Sequence, residues 1–215
     1  DGGSAFLYRL AINADGTLTG HWWSGSWSVD ELTAHRDEAA SITDPAAAAG
    51  PASTPAAFSF PDLDGKTVSL ADARFRGKVV VIAIGGTWCA NCHDEAAFLV
   101  PLYKDLKAQG LEIVSLQFEH QGSSPEAVAV NRRFVAKYGI EWPVLIAGLS
   151  DKDEASQKLP GLGRVYAFPT TVLVGRDGRI AKVHAGFSGP ATGQHYTDFQ
   201  KDFTDSVRAL LAAKS

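Results

Sequence analysis

The chain holds two cysteines, Cys89 and Cys92, separated by Ala90 and Asn91. Two thiols at this spacing can form a reversible disulfide, share a metal, or carry a covalent haem. Their sequence context separates these options. The pair follows Val79–Gly85, which is apolar at every position up to its glycine. It precedes 92–108, where Ala96, Leu99, Leu102, Tyr103 and Leu106 recur near helical spacing. The thiols therefore fall between a strand buried on both faces and the first turn of a helix. A cysteine at a helix N-terminus faces unpaired backbone N–H groups and the positive end of the dipole, which stabilise thiolate and lower its pKa. The two-residue gap lets the second sulfur reach the first across one turn, so a disulfide forms and breaks with little backbone movement. This position predicts Cys89 as the exposed, low-pKa thiol and Cys92 as the shielded one.

The rival chemistries lack partners. Cys89-Ala90-Asn91-Cys92-His93 matches the C-x-x-C-H haem attachment pattern, with His93 as axial ligand. Methionine count is 0, which leaves only a second histidine for the sixth position, and, more damaging, the motif starts a helix straight after a buried strand in a complete α/β frame. Zinc needs four ligands, and His21, His35, His120, His184 and His195 show no paired spacing. No metal and no dissociable cofactor is expected. Glu95 follows Cys92 by three and shares its helix face. A carboxylate there can accept the thiol's proton or raise its pKa, or it can merely complement the helix dipole. His93 reads as a solvated first-turn residue or a ring over the disulfide rim.

The elements around the pair alternate. Phe58–Leu63 and Thr67–Leu70 flank Asp64-Gly65, a hairpin signal. Leu111–Phe118 reads as a strand. Ser124-Pro125 starts a helix that Gly139 closes. Val144–Ala147 reads as a short strand and Asp151–Lys158 as a short helix. Thr170–Val174 and Ile180–His184 flank a second turn, and Phe199, Phe203, Val207, Leu210 and Leu211 stripe a final helix. Strands alternating with helices and ending in a hairpin predict a mixed sheet covered by helices on both faces. Upstream, 5–13, 17–24 and 26–34 read as three antiparallel strands. Their Trp22, Trp23 and Trp27 read as sheet-packing residues, with a recognition patch as the alternative. Residues 39–57 hold nine Ala and three Pro, a composition that resists a long helix. The expected organisation is 1–38 as the last strands of a truncated β-domain, 39–57 as a linker, and 58–215 as an α/β redox domain.

Composition is ordinary for a globular protein, 45% hydrophobic and 20% charged in 215 residues. The net charge of −4 argues against a nucleic-acid partner, which requires a basic face. The longest apolar run, Val79–Ile84, is far short of a membrane span. The opening Asp1-Gly2-Gly3-Ser4 has no signal-like pattern and reads as the start of a processed or truncated fragment.

The stretch Trp88-Cys89-Ala90-Asn91-Cys92-His93-Asp94-Glu95 resembles the TlpA-like thiol–disulfide oxidoreductases of the thioredoxin superfamily. So do Ala167-Phe168-Pro169-Thr170-Thr171 and the run from Gly186 to Gly193. The resemblance covers 56–213 and implies a thioredoxin-like fold. It also implies Cys89 as attacking nucleophile, Cys92 as resolving thiol, and Glu95 as a residue that moves protons at the inner thiol. Pro169 matches the proline that is cis in this fold, and Trp88, Phe168 and Pro169 are the implied substrate-contacting residues. The implied activity is reduction of disulfides in exported proteins, with electrons from a membrane-linked thiol partner, in the periplasm or at the outer face of a membrane. The sequence departs from the family at Ala97, where relatives often carry a helix-kinking proline; Pro101 comes later. Peroxiredoxins share the fold, but they place Pro-x-x-x-Thr-x-x-Cys at the reactive thiol. Here Thr87 lies two residues before Cys89 where the pattern needs three, and Ala83 stands where the proline four before that threonine would fall; peroxidase is the enzymatic alternative.

Overall fold

A computed structural model of the chain describes residues 6–24, 28–39, 55–159 and 161–213. Two compact units divide at Thr43 and Asp44. In the first, β1 (Phe6–Ile12), β2 (Leu18–Ser24) and β3 (Ser28–Ala34) form an antiparallel sheet in sequence order. Trp22 pairs with Tyr8 across the sheet and stacks on its ring at 6.2 Å. Trp23 lies against His21 at 6.0 Å. Trp27 and residues 40–54 of the expected linker lie outside the described residues.

The second unit carries the thiols. A short hairpin, β4 (Ser59–Pro61) with β5 (Thr67–Ser69), precedes β6 (Val79–Gly85), α1 (Ala90–Leu106), β7 (Leu111–Glu119) and α2 (Pro125–Tyr138). β8 (Val144–Leu149), α3 (Lys152–Lys158), β9 (Thr170–Val174), β10 (Ile180–Ala185) and α4 (Gln194–Ala212) follow. The five-stranded sheet runs β10-β9-β6-β7-β8. β6 is parallel to β7 and β7 to β8, while β9 is antiparallel to both β6 and β10. This is the mixed sheet that the alternation predicts.

β6 is apolar throughout because both its faces are covered. Val80, Ile82 and Ile84 join Val114, Leu116, Phe118 and Val172 on one face, packed against Phe58, Val68 and Phe75 from the hairpin side. Val79, Val81 and Ala83 turn to the other face, against Leu99, Leu102 and Leu106 of α1 and Phe203 and Val207 of α4. Leu99 is 1% exposed, and truncating such a residue to alanine costs roughly 2–5 kcal/mol. The edge at β8 is blunted by a bridge from Asp62 to Leu145.

Local signals set the helix ends. Ser124 caps α2 by accepting from Ala127 N, Pro125 takes the first position, and Gly139 closes it at φ 64, a left-handed conformation that suits glycine. α1 passes through Pro101 without a break. The proline lacks the N–H that would reach the Ala97 carbonyl four residues back, and the helix continues past the missing bond.

Candidate active site

β6 delivers the chain to the N-terminus of α1, and Cys89 is its N-cap. The Cys89 Sγ accepts a hydrogen bond from Cys92 N at 3.3 Å, as a capping oxygen would. The two sulfurs are not bonded to each other in this structure. The expectation that Cys89 is exposed is not met: Cys89 is 7% exposed and Cys92 6%. What separates them is chemical environment. Hydrogen bonding to the Cys92 side chain, aided by the Cys92 N–H, holds the Cys89 thiol below its ordinary value against the opposing effect of burial. Burial pushes the Cys92 thiol well up, and the neighbouring Cys89 and the charge of Glu95 push it further.

Close approach of the inner thiol depends on Gly85. A Cβ at that position would lie 2.7 Å from Cys92 Sγ. Glu95 is 4% exposed, and Thr171 of β9 donates its hydroxyl to Glu95 Oε1. Burial raises the Glu95 carboxyl to about 7, with the Thr171 bond acting in the opposite direction. Glu95 is thus an interior acid rather than a solvent-facing complement to the helix dipole.

The 167–171 segment crosses in front of the thiols. The Phe168–Pro169 peptide is cis, and the Phe168 carbonyl lies 3.6 Å from Cys89 Sγ, within reach of the thiol hydrogen. Trp88, 40% exposed, donates Nε1–H to the Phe118 carbonyl at 2.8 Å. Its ring stacks on His120 at 4.9 Å and meets Phe168 edge-on at 5.7 Å. The structure therefore brings Trp88, Cys89, Cys92, Phe168 and Pro169 to one rim, with Glu95 beneath it.

His93 takes neither position read for it. One ring nitrogen lies 2.9 Å from the Thr87 carbonyl and the other 2.8 Å from the Tyr138 hydroxyl, and the ring packs on Phe134. A carbonyl only accepts, so Nε2 carries the hydrogen and Nδ1 takes Tyr138's. Both nitrogens are engaged, which leaves none for a haem iron. Thr87 is held on every polar atom, because Glu119 accepts from its N–H and its hydroxyl, each at 2.9 Å. Asn131 of α2 donates to the same carboxylate at 2.9 Å, and Glu119 is 1% exposed.

Sequence reasoning passed over Glu119, Asn131, Thr171 and Gln117. One signal was present: Ser115, Gln117 and Glu119 alternate with apolar residues in β7. In a strand with helices on that face, such alternation marks polar groups in the interior and not a wet surface.

Comparison with known proteins supplies the class. Solved structures of a thiol:disulfide interchange protein, thioredoxin family, from Chlorobium tepidum TLS and a DsbF homologue from Corynebacterium diphtheriae share the fold. The first aligns with TM-score 0.56 at 21% identity, covering 75% of this chain and 98% of its own. The second aligns with TM-score 0.51 at 22% identity, covering 77% and 96%. The fold is thioredoxin-like. Residues 52–183 match the AhpC/TSA family model, and the chain belongs to that family. Within it, the chain is similar to the thiol-disulfide oxidoreductase ResA of Bacillus subtilis strain 168, 34% identical over 129 residues, 60% of this chain and 64% of the relative. The ResA of Bacillus thuringiensis subsp. konkukian is 30% identical over 147 residues, 68% and 75% of the two chains. The chain thus spans just under two thirds of the length of several of these relatives.

Proposed function

We propose that this protein is a thiol–disulfide oxidoreductase that cycles Cys89 and Cys92 between dithiol and disulfide. The observation that carries the reading is the opposed environment of two thiols one helical turn apart: hydrogen bonds favour thiolate at Cys89, and burial disfavours it at Cys92. The names of the ResA relatives support the same chemistry. Cys89 attacks a disulfide sulfur and forms a mixed disulfide. Cys92 then attacks Cys89 Sγ and releases the second substrate sulfur as thiolate. Trp88, Phe168 and Pro169 form the rim against which a substrate segment lies. No dissociable cofactor takes part.

The finer reading is reduction of disulfides in exported proteins, with electrons from a membrane-linked thiol partner on the extracytoplasmic side. It follows the family resemblance. Among the described residues no helix is long and apolar enough to cross a membrane. A peroxidase role is less well supported, since Thr87 gives both its N–H and its hydroxyl to Glu119 and neither to an incoming peroxide.

The test is trapping. Cys92→Ser is expected to accumulate a mixed disulfide with a disulfide-bonded protein such as insulin, and Cys89→Ser to accumulate none. Equal trapping by both variants, or peroxide consumption faster than insulin reduction, would refute the assignment. The reduction potential of the pair decides direction, a low value fitting a reductant.

A further inference from the structure

The thiol-bearing unit exposes few large apolar side chains. Among its described residues they are Trp88, Leu149 and Tyr166, 40%, 48% and 40% exposed. Exposed apolar residues scattered singly need no explanation, but these three share one end of the sheet. β6, β7 and β8 are parallel, so Trp88, just after β6, and Leu149, the last residue of β8, come to the same end. β9 runs antiparallel to β6 and starts opposite Ile84, so Tyr166, four residues ahead of Thr170, approaches that end as well. It is the end that carries Cys89.

The indole of Trp88 is fixed before anything binds. Beyond its bond to the Phe118 carbonyl and its edge contact with Phe168, it has a third support in His120, directly after β7. The two rings lie within 29° of parallel, and His120 Nδ1 sits 2.6 Å from the Ser150 hydroxyl. Ser150 is anchored in turn, its N–H reaching the Glu119 carbonyl at 3.0 Å. A Cβ on Gly86 would collide with Trp88 Nε1 and the Phe118 carbonyl oxygen, so this seating needs glycine there. A large ring held in place loses little freedom on binding, and its contacts convert more fully into affinity.

We propose that the thiol end of the sheet is a docking surface for an extended polypeptide segment with apolar side chains beside its disulfide cysteines. Trp88, Leu149 and Tyr166 take those side chains, and His120 is the positioning residue that holds the indole. The surface continues the rim of Trp88, Phe168 and Pro169, which favours a disulfide-bearing chain over a second copy of this protein as occupant. Folded proteins bury most of their apolar residues, so the segment belongs to an unfolded or partly folded chain. The inference rests on the dithiol cycle proposed above and adds to it the class of substrate. Electrons balance within that cycle: the Cys89 and Cys92 thiols become a disulfide as the substrate disulfide becomes two thiols, and two protons pass from the first pair to the second.

The test uses two synthetic peptides, each closed by a disulfide and identical except that leucine or serine flanks the cysteines. Reduced protein is mixed with excess peptide, and the single turnover is followed over a range of peptide concentrations. Each rate is divided by that of the same peptide with dithiothreitol, which removes differences in intrinsic reactivity. The leucine peptide is expected to half-saturate at an about tenfold lower concentration with the same limiting rate, the low end of what one apolar contact supplies. Equal half-saturation would overturn the proposal and leave the dithiol cycle standing. No reduction of either peptide would sink the cycle, and the proposal with it. Leu149→Ser and Tyr166→Ser, both at exposed positions, should each bring the two peptides closer together. His120→Ala should do the same, and His120→Phe, which restores a ring against the indole, should recover the preference. Variants that slow both peptides by one factor would show a general structural role and refute the assignment. Sedimentation should show a monomer; a dimer that Leu149→Ser dissociates would give the surface to a second copy and overturn the proposal.

Discussion

A carboxyl group enclosed by protein, as Glu95 is, binds its proton more tightly folded than unfolded. Its folded value is about 7 and its ordinary value 4.5. Above about pH 7 the group is ionised in both states, and the folded protein bears the full cost of burying the charge, about 3 kcal/mol at roughly 1.4 kcal/mol per unit. As pH falls below 7, the folded state takes up a proton that the unfolded state refuses until about 4.5, and stability is regained. Glu95→Gln keeps an acceptor for Thr171 and removes the charge. It is expected to stabilise the protein by about 1–3 kcal/mol at pH 8 in denaturant unfolding, with the gain shrinking towards pH 5. Both thiols should titrate lower as well, since the Glu95 charge raises Cys89 and Cys92 alike. Thiolate absorbance against pH reads this. Superimposable curves for the two proteins would reduce Glu95 to a structural acid.

At the scale of elements, the turn from β6 to α1 is fastened from three directions. Glu119 of β7 holds Thr87 N–H and hydroxyl, His93 of α1 holds its carbonyl, and Trp88 is tied to the Phe118 carbonyl. Thr87→Val removes one donor from a buried carboxylate. The expected cost is about 1–3 kcal/mol of stability, together with slower alkylation of Cys89, and Thr87→Ser should restore both. A double-mutant cycle with Glu119→Gln should show a coupling above roughly 0.5 kcal/mol, as expected for two groups in direct contact. Additive effects would mean that the clamp is incidental. The contact between β10 and α4 has a different sensitivity. His184 lies against Phe199 and Phe203 with Nε2 buried and unpaired among the described residues. Burial, with Lys182 adding to it, lowers its pKa to about 4. Below about 6.5 the unfolded chain takes a proton that the folded protein refuses, so this residue makes stability fall as pH drops from 6.5 towards 4. His184→Phe should flatten that part of an acid unfolding curve; an unchanged curve would refute the assignment.

At the scale of the molecule, the thiol-bearing unit draws its sheet and both packed faces from within itself. A domain of about 150 residues buries near 70% of its unfolded surface, enough to fold alone. Its first described residues are part of it. Pro55 bridges Arg179, and Ala56 N–H reaches the Gly178 carbonyl at 3.1 Å. A protein of residues 55–215 is therefore expected to unfold in one cooperative transition and to keep the mixed-disulfide trapping proposed above for Cys92→Ser. Starting it at residue 58 should lower the melting temperature by some degrees through loss of that pairing. A non-cooperative melt of the 55–215 protein would show that the unit needs residues before Pro55.

Much of this architecture was legible in the chain. The run from Val79 to Gly85 is apolar in consecutive residues because both faces of a central strand are covered. Ser124-Pro125 and Gly139 mark the bounds of α2 through the backbone groups they cap. The position of Cys89-x-x-Cys92 at a strand–helix junction already indicated dithiol chemistry. These features are local: a backbone conformation or a periodicity fixes them within a few residues. What the sequence left open depends on residues 32 to 79 positions apart. Thr87 meets Glu119, Glu95 meets Thr171, and Cys89 meets Phe168 only after parallel strands and a returning hairpin are assembled. Burial has the same character. Cys89 reads as exposed from its place at a helix end, and is enclosed because the 167–169 segment crosses in front of it. Glu95, three residues from Cys92, reads equally as a surface or an interior acid until β9 closes over it. Its charge, and with it the proton chemistry of the inner thiol, was decided by tertiary packing, because desolvation is a property of everything around a group and not of its neighbours in the chain.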